Sequence, residues 1–440
     1  MTHPDAFAWT FGIEEEFFLV DPRTRALVDD VPPSLLHACR RRYGDAVAPE
    51  LLRSQVEIVS PVFRGQDEAA EAMTALRRGV ADIAGAKGLR VVAAGTHPIA
   101  DWSAQVETRQ SRYRRLVRDF QIVGRRNVLC GLHIHVAVPP EVDRVALMNR
   151  VMPWLPAFLA LSTSSPFWDR EPTGLLSYRQ AAYDEWPRTG IPDRFENEAE
   201  YAELVRRLVA GGAAKDASML WWAIRPALRY PTLELRICDA CTRLDDALAI
   251  AALYRCLVRR LVRRPADDAP RDPYARRLID ENRWRAKRSG LDATFLALDG
   301  GEPRACREVV GELLDAVAED ADALGATAAL GRVRAILAEG TSAHAQLTLY
   351  EARLGRGDPP RTALAFVVDW LAATTYGAIV VPPPTGRPPP ERAPGLPDDG
   401  VSNRYPGIGA TTFATEADAS NRRNARTRGS PRSSRLTTNA

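Results

Sequence analysis

At 440 residues and 45% apolar content the chain can bury a substantial core in one large domain or two ordinary ones, which excludes a fibrous or wholly disordered polymer. The formal charge is +3, but from Pro382 onward nine Arg stand against five acidic residues, so the remainder is close to −1. The basic excess therefore belongs to the C-terminal segment. The body carries no Lys/Arg stripe interleaved with aromatics, which argues against a nucleic-acid surface.

Six cysteines (Cys39, Cys130, Cys238, Cys241, Cys256 and Cys306) are scattered through the chain, and no basic segment followed by an apolar one opens it. A reduced, cytoplasmic setting is expected. Cys238 and Cys241 form a C-x-x-C, but no second pair completes a zinc site and no thioredoxin-like pattern surrounds it, so both read as small buried residues. The most apolar stretches, 151–168 and 362–381, are interrupted by prolines and by Asp369 respectively, and neither reads as a membrane span.

In chain order, the first predicted strand is Phe11 to Val20. A period of two puts Glu14 and Glu16 on one face, with Ile13, Phe17 and Leu19 on the other. Glu15 falls on the apolar face, which demands either exposure of that end or a cationic partner. Leu52 to Val59 repeats the pattern with Arg53, Gln55 and Glu57 on the polar side. A helix follows over Gln66 to Lys87. Next come a short strand Val91 to Ala94 and a Thr-His-Pro turn holding His97. Leu129 to Val138 sets His133 and His135 against Leu132, Ile134, Val136 and Val138.

The long connection from Phe167 to Phe195, with Trp168, Arg170, Tyr178 and Arg179, has no clean period and reads as a binding loop. Pro231 to Asp239 is the fourth strand, where Thr232, Glu234 and Arg236 oppose Leu233, Leu235 and Ile237. Helices are predicted over Asp245 to Arg264, Cys306 to Leu324, Leu330 to Ala338 and Ala363 to Ala373. Residues 1–381 form the expected catalytic domain, and the Pro-, Arg- and Ser-rich residues 382–440 a disordered tail.

Four strands thus share one polar face. As a plain wet sheet face it would carry Thr, Lys and Ser, but these rows are Glu and His. Carboxylates gathered on one cavity repel unless a cation sits among them, and oxygen ligands with an occasional imidazole suit Mg2+ or Mn2+ better than zinc. Arg236, two residues from Glu234, fits a further need: a cation that holds phosphate beside such a metal. Arg225 and Arg229 either join it or are surface arginines.

The strings Phe11-Gly12-Ile13-Glu14-Glu15-Glu16, Ser54-Gln55-Val56-Glu57, Gly95-Thr96-His97-Pro98, Gly131-Leu132-His133-Ile134-His135-Val136, Ser164-Ser165-Pro166-Phe167-Trp168 and Leu233-Glu234-Leu235-Arg236 resemble, in order, the bacterial carboxylate-amine ligases, also called glutamate-cysteine ligase type 2. The resemblance runs from about residue 8 to 375. It implies an α+β, glutamine-synthetase-like fold: a curved antiparallel sheet forming a funnel, with helices on its outer face. It also implies one metal held by Glu14, His133 and Glu234, another by Glu16 and Glu57, and Arg236 on the transferred phosphate.

The chemistry so implied uses ATP and Mg2+ (or Mn2+) to convert a carboxylate into an acyl phosphate that an amine then displaces to give an amide. A small-molecule acid and amine are the expected partners, and the resemblance suggests a homodimer. Arg229 and Arg225 are candidates to assist Arg236 in catalysis and nucleotide binding. His135, His97, Arg170 and Arg179 are candidates for substrate recognition. Neither a P-loop nor a Gly-x-Ser-x-Gly nucleophile motif is present in the sequence. Three alternatives stay open: a guanidino-group kinase on the same fold, a non-enzymatic nucleotide-binding descendant, and a metal-dependent hydrolase.

Overall fold

The computed structural model describes residues 7–265 and 272–377. The expected domain boundary at 381 and the tail 382–440 lie outside the described residues.

Among the described residues, nine of the eleven strands concern the site and its surroundings: β1 (Phe11–Val20), β2 (Val47–Pro49), β3 (Gln55–Val59), β4 (Arg90–Val92), β5 (Gly131–Ala137), β6 (Phe167–Trp168), β7 (Glu171–Pro172), β8 (Ile224–Pro226) and β9 (Thr232–Asp239). Seven of them form an open sheet in the order β2-β3-β1-β5-β9-β8, with β4 also on β1. Every pairing is antiparallel. Strand β1 is shared along its length: its first half pairs with β5 and its last residues with β4. β6 and β7 make a separate hairpin within the segment expected to be an irregular loop, which also holds a short helix, Tyr178–Tyr183.

The odd-numbered face of β1 (Phe11, Ile13, Phe17, Leu19) joins Leu132, Ile134, Val136, Leu233, Leu235 and Ile237 in the main core. The helices Gln66–Gly85, Arg144–Val151, Leu155–Ser162 and Leu244–Arg263 close over it. Their side chains show why. Met73, Leu76 and Val80 recur at helical spacing, and Phe158 meets Tyr254 edge-on at 5.7 Å. Each such fully buried apolar side chain contributes roughly 1.5–3 kcal/mol.

Asp143 accepts from the amides of Val145 and Ala146 and so fixes where the first turn of Arg144–Val151 begins. The stretch Arg144–Ser162 is helical, long and apolar enough to cross a membrane, yet most of it is buried inside this protein as a core element. A second core lies where β1 turns apolar on its other face: Phe18 and Val20 pack with Val92 and with the helix Pro360–Tyr376.

The predicted helix Cys306 to Leu324 is broken at Val317 into Cys306–Ala316 and Ala318–Ala323. Helices over Pro33–Tyr43, Ser111–Phe120, Glu198–Ala210, Ala275–Ser289 and Ser342–Leu354 add to those expected. All six cysteines are buried and free, which accords with the reading of Cys238 and Cys241 as small core residues.

Candidate active site

On the other face of β1, Glu14 and Glu16 line a cavity of about 470 Å3 floored by the sheet. Register decides who meets whom. Glu14 lies opposite His133, Glu16 opposite Glu57, and His135 opposite Glu234. Leu132 faces Cys238 while Ile134 faces Leu235, so β9 carries one extra residue at the level of Arg236 and Ile237. A bulge of this kind re-aims a side chain near a site.

Three groups of ligand atoms result, each within 4.8 Å: Glu14, Glu57 and His133; Glu14, His135 and Glu234; and Glu16, Glu50 and Glu57. Every expected metal ligand is therefore brought to one cavity. Glu50 is an addition without sequence signal, being a lone acid between Pro49 and Leu51. The β2–β3 hairpin folds it back beside Glu57, which pairs with Ala48. His135, expected to touch substrate, stands among the candidate ligands, with Nε2 3.3 Å from Glu14 Oε1 and Nδ1 3.1 Å from Thr232 Oγ1.

Like charges directly opposite on a sheet are unfavourable, and here the cost is visible in proton affinity. Burial, followed by repulsion from Glu50, pushes Glu16 up to about 7. Burial likewise raises Glu50, and burial together with Glu50, Glu14 and Glu16 holds Glu57 well above the usual carboxylate range. Burial would raise Glu14 too, but hydrogen bonds from His133 and His135 outweigh it and keep Glu14 well below that range. Burial and then the charge of Arg236 lower His133 to about 4. At neutral pH His133 is thus a neutral imidazole beside an ionised Glu14, the forms in which both bind metal.

The arginines sort into two kinds. Arg225 and Arg236 converge on Glu234: Arg225 Nε lies 2.7 Å from Oε2, and Arg236 Nη1 donates to Oε1. Burial raises the Glu234 pKa, but the two guanidinium groups outweigh it and set it at about 2. Arg236 also reaches the Tyr183 hydroxyl at 3.4 Å. Arg229 is exposed at the cavity rim, next to exposed Leu228 and Tyr230.

Arg179 reaches the cavity from the short helix Tyr178–Tyr183, with its guanidinium 5.5 Å from the Tyr183 ring. That helix is anchored from behind, where Arg283 (2.8 Å) and Lys287 pair with Asp184. Arg283 thereby acquires a place that its sequence context did not give it.

Two other candidates do not line the cavity. His97 is fully buried under Phe18, edge-on at 5.9 Å, and neither ring nitrogen has a hydrogen-bond partner. Arg170 is exposed and lies 3.6 Å from Asp169. The remaining wall is contributed by residues without sequence signal, including Tyr113, Trp186, Trp221 and Asp216. Trp186 and Trp221 pack at 5.2 Å, and each also touches Phe120.

Glutamate-cysteine ligase family 2 matches residues 10–361. A protein of Rhodospirillum rubrum that bears the provisional name glutamate-cysteine ligase 2 is 47% identical over 377 residues, covering 84% of this chain and 97% of its own. A similarly named protein of Bradyrhizobium diazoefficiens is 42% identical over 370 residues, covering 84% and 85%.

Among solved structures, a glutamate-cysteine ligase of Francisella tularensis in complex with AMP aligns over 84% of this chain and 89% of its own. Its TM-score is 0.61 at 13% identity. A bifunctional glutathione synthetase of Pasteurella multocida aligns over 84% and 53%, with a TM-score of 0.61 at 14% identity. These two share the fold. The family match over most of the chain and the relatives above 40% identity make the chain a member of glutamate-cysteine ligase family 2 and an enzyme of the ligase class.

Proposed function

We propose that the enzyme joins a carboxylic acid to an amine at the expense of ATP, in a cavity that holds two divalent cations, Mg2+ or Mn2+. The observation that carries this reading is the facing of Glu16 and Glu57 across two paired strands with Glu50 beside them, an arrangement whose repulsion a hard cation relieves. Glu16, Glu50 and Glu57 would hold one cation. Glu14 and Glu234 with His133 or His135 would hold the other. When bound, such cations neutralise charge on the phosphates and align them for in-line transfer. The adenine nucleotide bound to the Francisella ligase supports a nucleotide as substrate here.

In the first step an acid carboxylate oxygen attacks the γ-phosphorus and ADP leaves, giving an acyl phosphate. In the second the amine nitrogen attacks the acyl carbon, inorganic phosphate leaves, and the nitrogen loses a proton. Arg236, fixed by Glu234 and by the Tyr183 hydroxyl, stabilises charge on the transferred group. Arg225 holds Glu234 from the other side, and exposed Arg229 meets phosphates or acid at the rim. The sheet forms the floor of this cavity, and Trp186 and Trp221 form one wall.

The test is phosphate release from ATP with Mg2+ across a panel of acids and amines, with mass spectra of the products. Release that needs both partners, with a product lighter than their sum by one water, establishes the ligase. A stable phosphorylated product in place of inorganic phosphate would turn the reading to a kinase.

A further inference from the structure

Asp239 ends β9 and is fully buried, yet three donors from two other segments converge on its carboxylate. Ser165 Oγ donates to Oδ2 at 2.7 Å, Ser177 Oγ to Oδ1 at 2.8 Å, and the Ser164 amide to Oδ2 at 3.1 Å. The fourth neighbour is Arg179, with Nη1 3.9 Å from Oδ1. Ser165 Oγ also receives the backbone amide of Arg179 at 3.0 Å, so one carboxylate fixes both ends of that residue.

Two glycines leave room for the pair. A Cβ on Gly95 would stand 2.7 Å from Asp239 Cγ, and a Cβ on Gly131 would stand 2.2 Å from Arg179 Nη2 and 3.2 Å from His133 Nε2. Arg179 therefore lies across the bare backbone at the start of β5, beside a candidate metal ligand. It is 3% exposed, its Nε has no hydrogen-bond partner, and the hydrogen bond from Nη1 to Ile237 O is 3.5 Å long. A buried guanidinium held this loosely by its nearest anion keeps donor capacity for an incoming one.

We propose that Asp239 is a positioning residue that, with Ser165 and Ser177, aims Arg179 over Gly131 at an oxyanion in the cavity. That oxyanion is a phosphate of ATP or the carboxylate of the acid. This inference rests on the ligase reading for the identity of the anion, but not for the geometry.

The geometry is tested by the crystal structure of Asp239→Asn. There the Arg179 guanidinium is expected to leave its place over Gly131, and its remaining there would overturn the proposal. If Asp239→Asn does not fold, Ser177→Ala is read the same way. In solution, Arg179→Ala, Asp239→Asn and the double variant are compared in calorimetric binding of ATP with Mg2+ and in KM for L-glutamate during ATP-dependent phosphate release.

Asp239→Asn is expected to weaken one of these by about tenfold with a smaller change in kcat, and to add little in the Arg179→Ala background. A change in ATP binding identifies the phosphate, and a change in KM alone identifies the acid. Losses that add in full, or no loss in either, would overturn the proposal. Failure of the wild-type chain to bind ATP would sink the ligase reading instead, while the position of Arg179 still decides the geometry.

Discussion

Glu15 and Arg77, sixty-two positions apart, form a two-pronged ion pair inside the main core, with Arg77 Nε 2.7 Å from Oε2 and Nη2 2.5 Å from Oε1. The guanidinium also donates to the carbonyls of Cys241 and Thr242, which ties the helix Gln66–Gly85 to the end of β9. This resolves the misplaced charge on the apolar face of β1. Arg77→Met leaves Glu15 buried and unpaired, and is expected to lower the unfolding free energy by about 3–5 kcal/mol. The double change Glu15→Leu/Arg77→Met is expected to recover most of that loss. Urea unfolding of the three variants measures it, and a double variant as unstable as the single one would contradict this account.

Glu50 separates a metal-binding cluster from a merely acidic one. Its removal relieves repulsion on Glu16 and Glu57, so Glu50→Gln is expected to melt above the wild type in chelator. It should also lose the thermal stabilisation that Mg2+ gives the wild type, and phosphate release should fall by at least about a hundredfold. Melting curves with and without Mg2+ decide it. An unaltered Mg2+ response would remove Glu50 from the ligand set.

Arg236 uses a planar fork to span Glu234 and Tyr183, and a lysine cannot reproduce two such directions. Arg236→Lys is expected to keep the fold while lowering kcat for phosphate release about 10²–10³-fold. Steady-state kinetics beside a thermal melt checks this. Equal kcat in the two proteins would move the phosphate contact elsewhere.

His97 gives the chain an acid sensitivity unrelated to the active site. Burial lowers its pKa from 6.5 to about 3, so between these values the unfolded chain binds a proton that the folded one refuses. Its contribution to stability is complete above pH 6.5 and is lost as the pH falls toward 3. His97→Leu removes the effect. Relative to wild type, the variant should gain about 1.4 kcal/mol per pH unit below 6.5 and show a constant difference above about pH 7. Denaturant unfolding at pH 5, 6, 7 and 8 tests this, and parallel curves throughout would mean that His97 is solvated or hydrogen-bonded in solution.

The sequence by itself determined the carboxylate and histidine rows that the strands bring to the site. Alternation along a strand is a local property, so Glu14, Glu16, Glu57, His133, His135 and Glu234 were legible as polar rows before any partner strand was known. The long helices Gln66–Gly85 and Leu244–Arg263 were legible for the same reason, since the apolar period of each lies within its own residues.

Tertiary structure decided everything that depends on register and docking. Glu16 meets Glu57, and Glu14 meets His133, only because β1 pairs β3 and β5 at those offsets. Glu50 enters the cluster through a hairpin, Arg179 enters through a six-residue helix braced by Asp239, and His97 is withdrawn beneath Phe18. Arg77 was hidden in the same way, as one arginine among many until its helix packed against Glu15. Such pairings join residues tens to hundreds of positions apart, and what selects them is the burial of whole apolar faces, a sum over the core that no single segment carries.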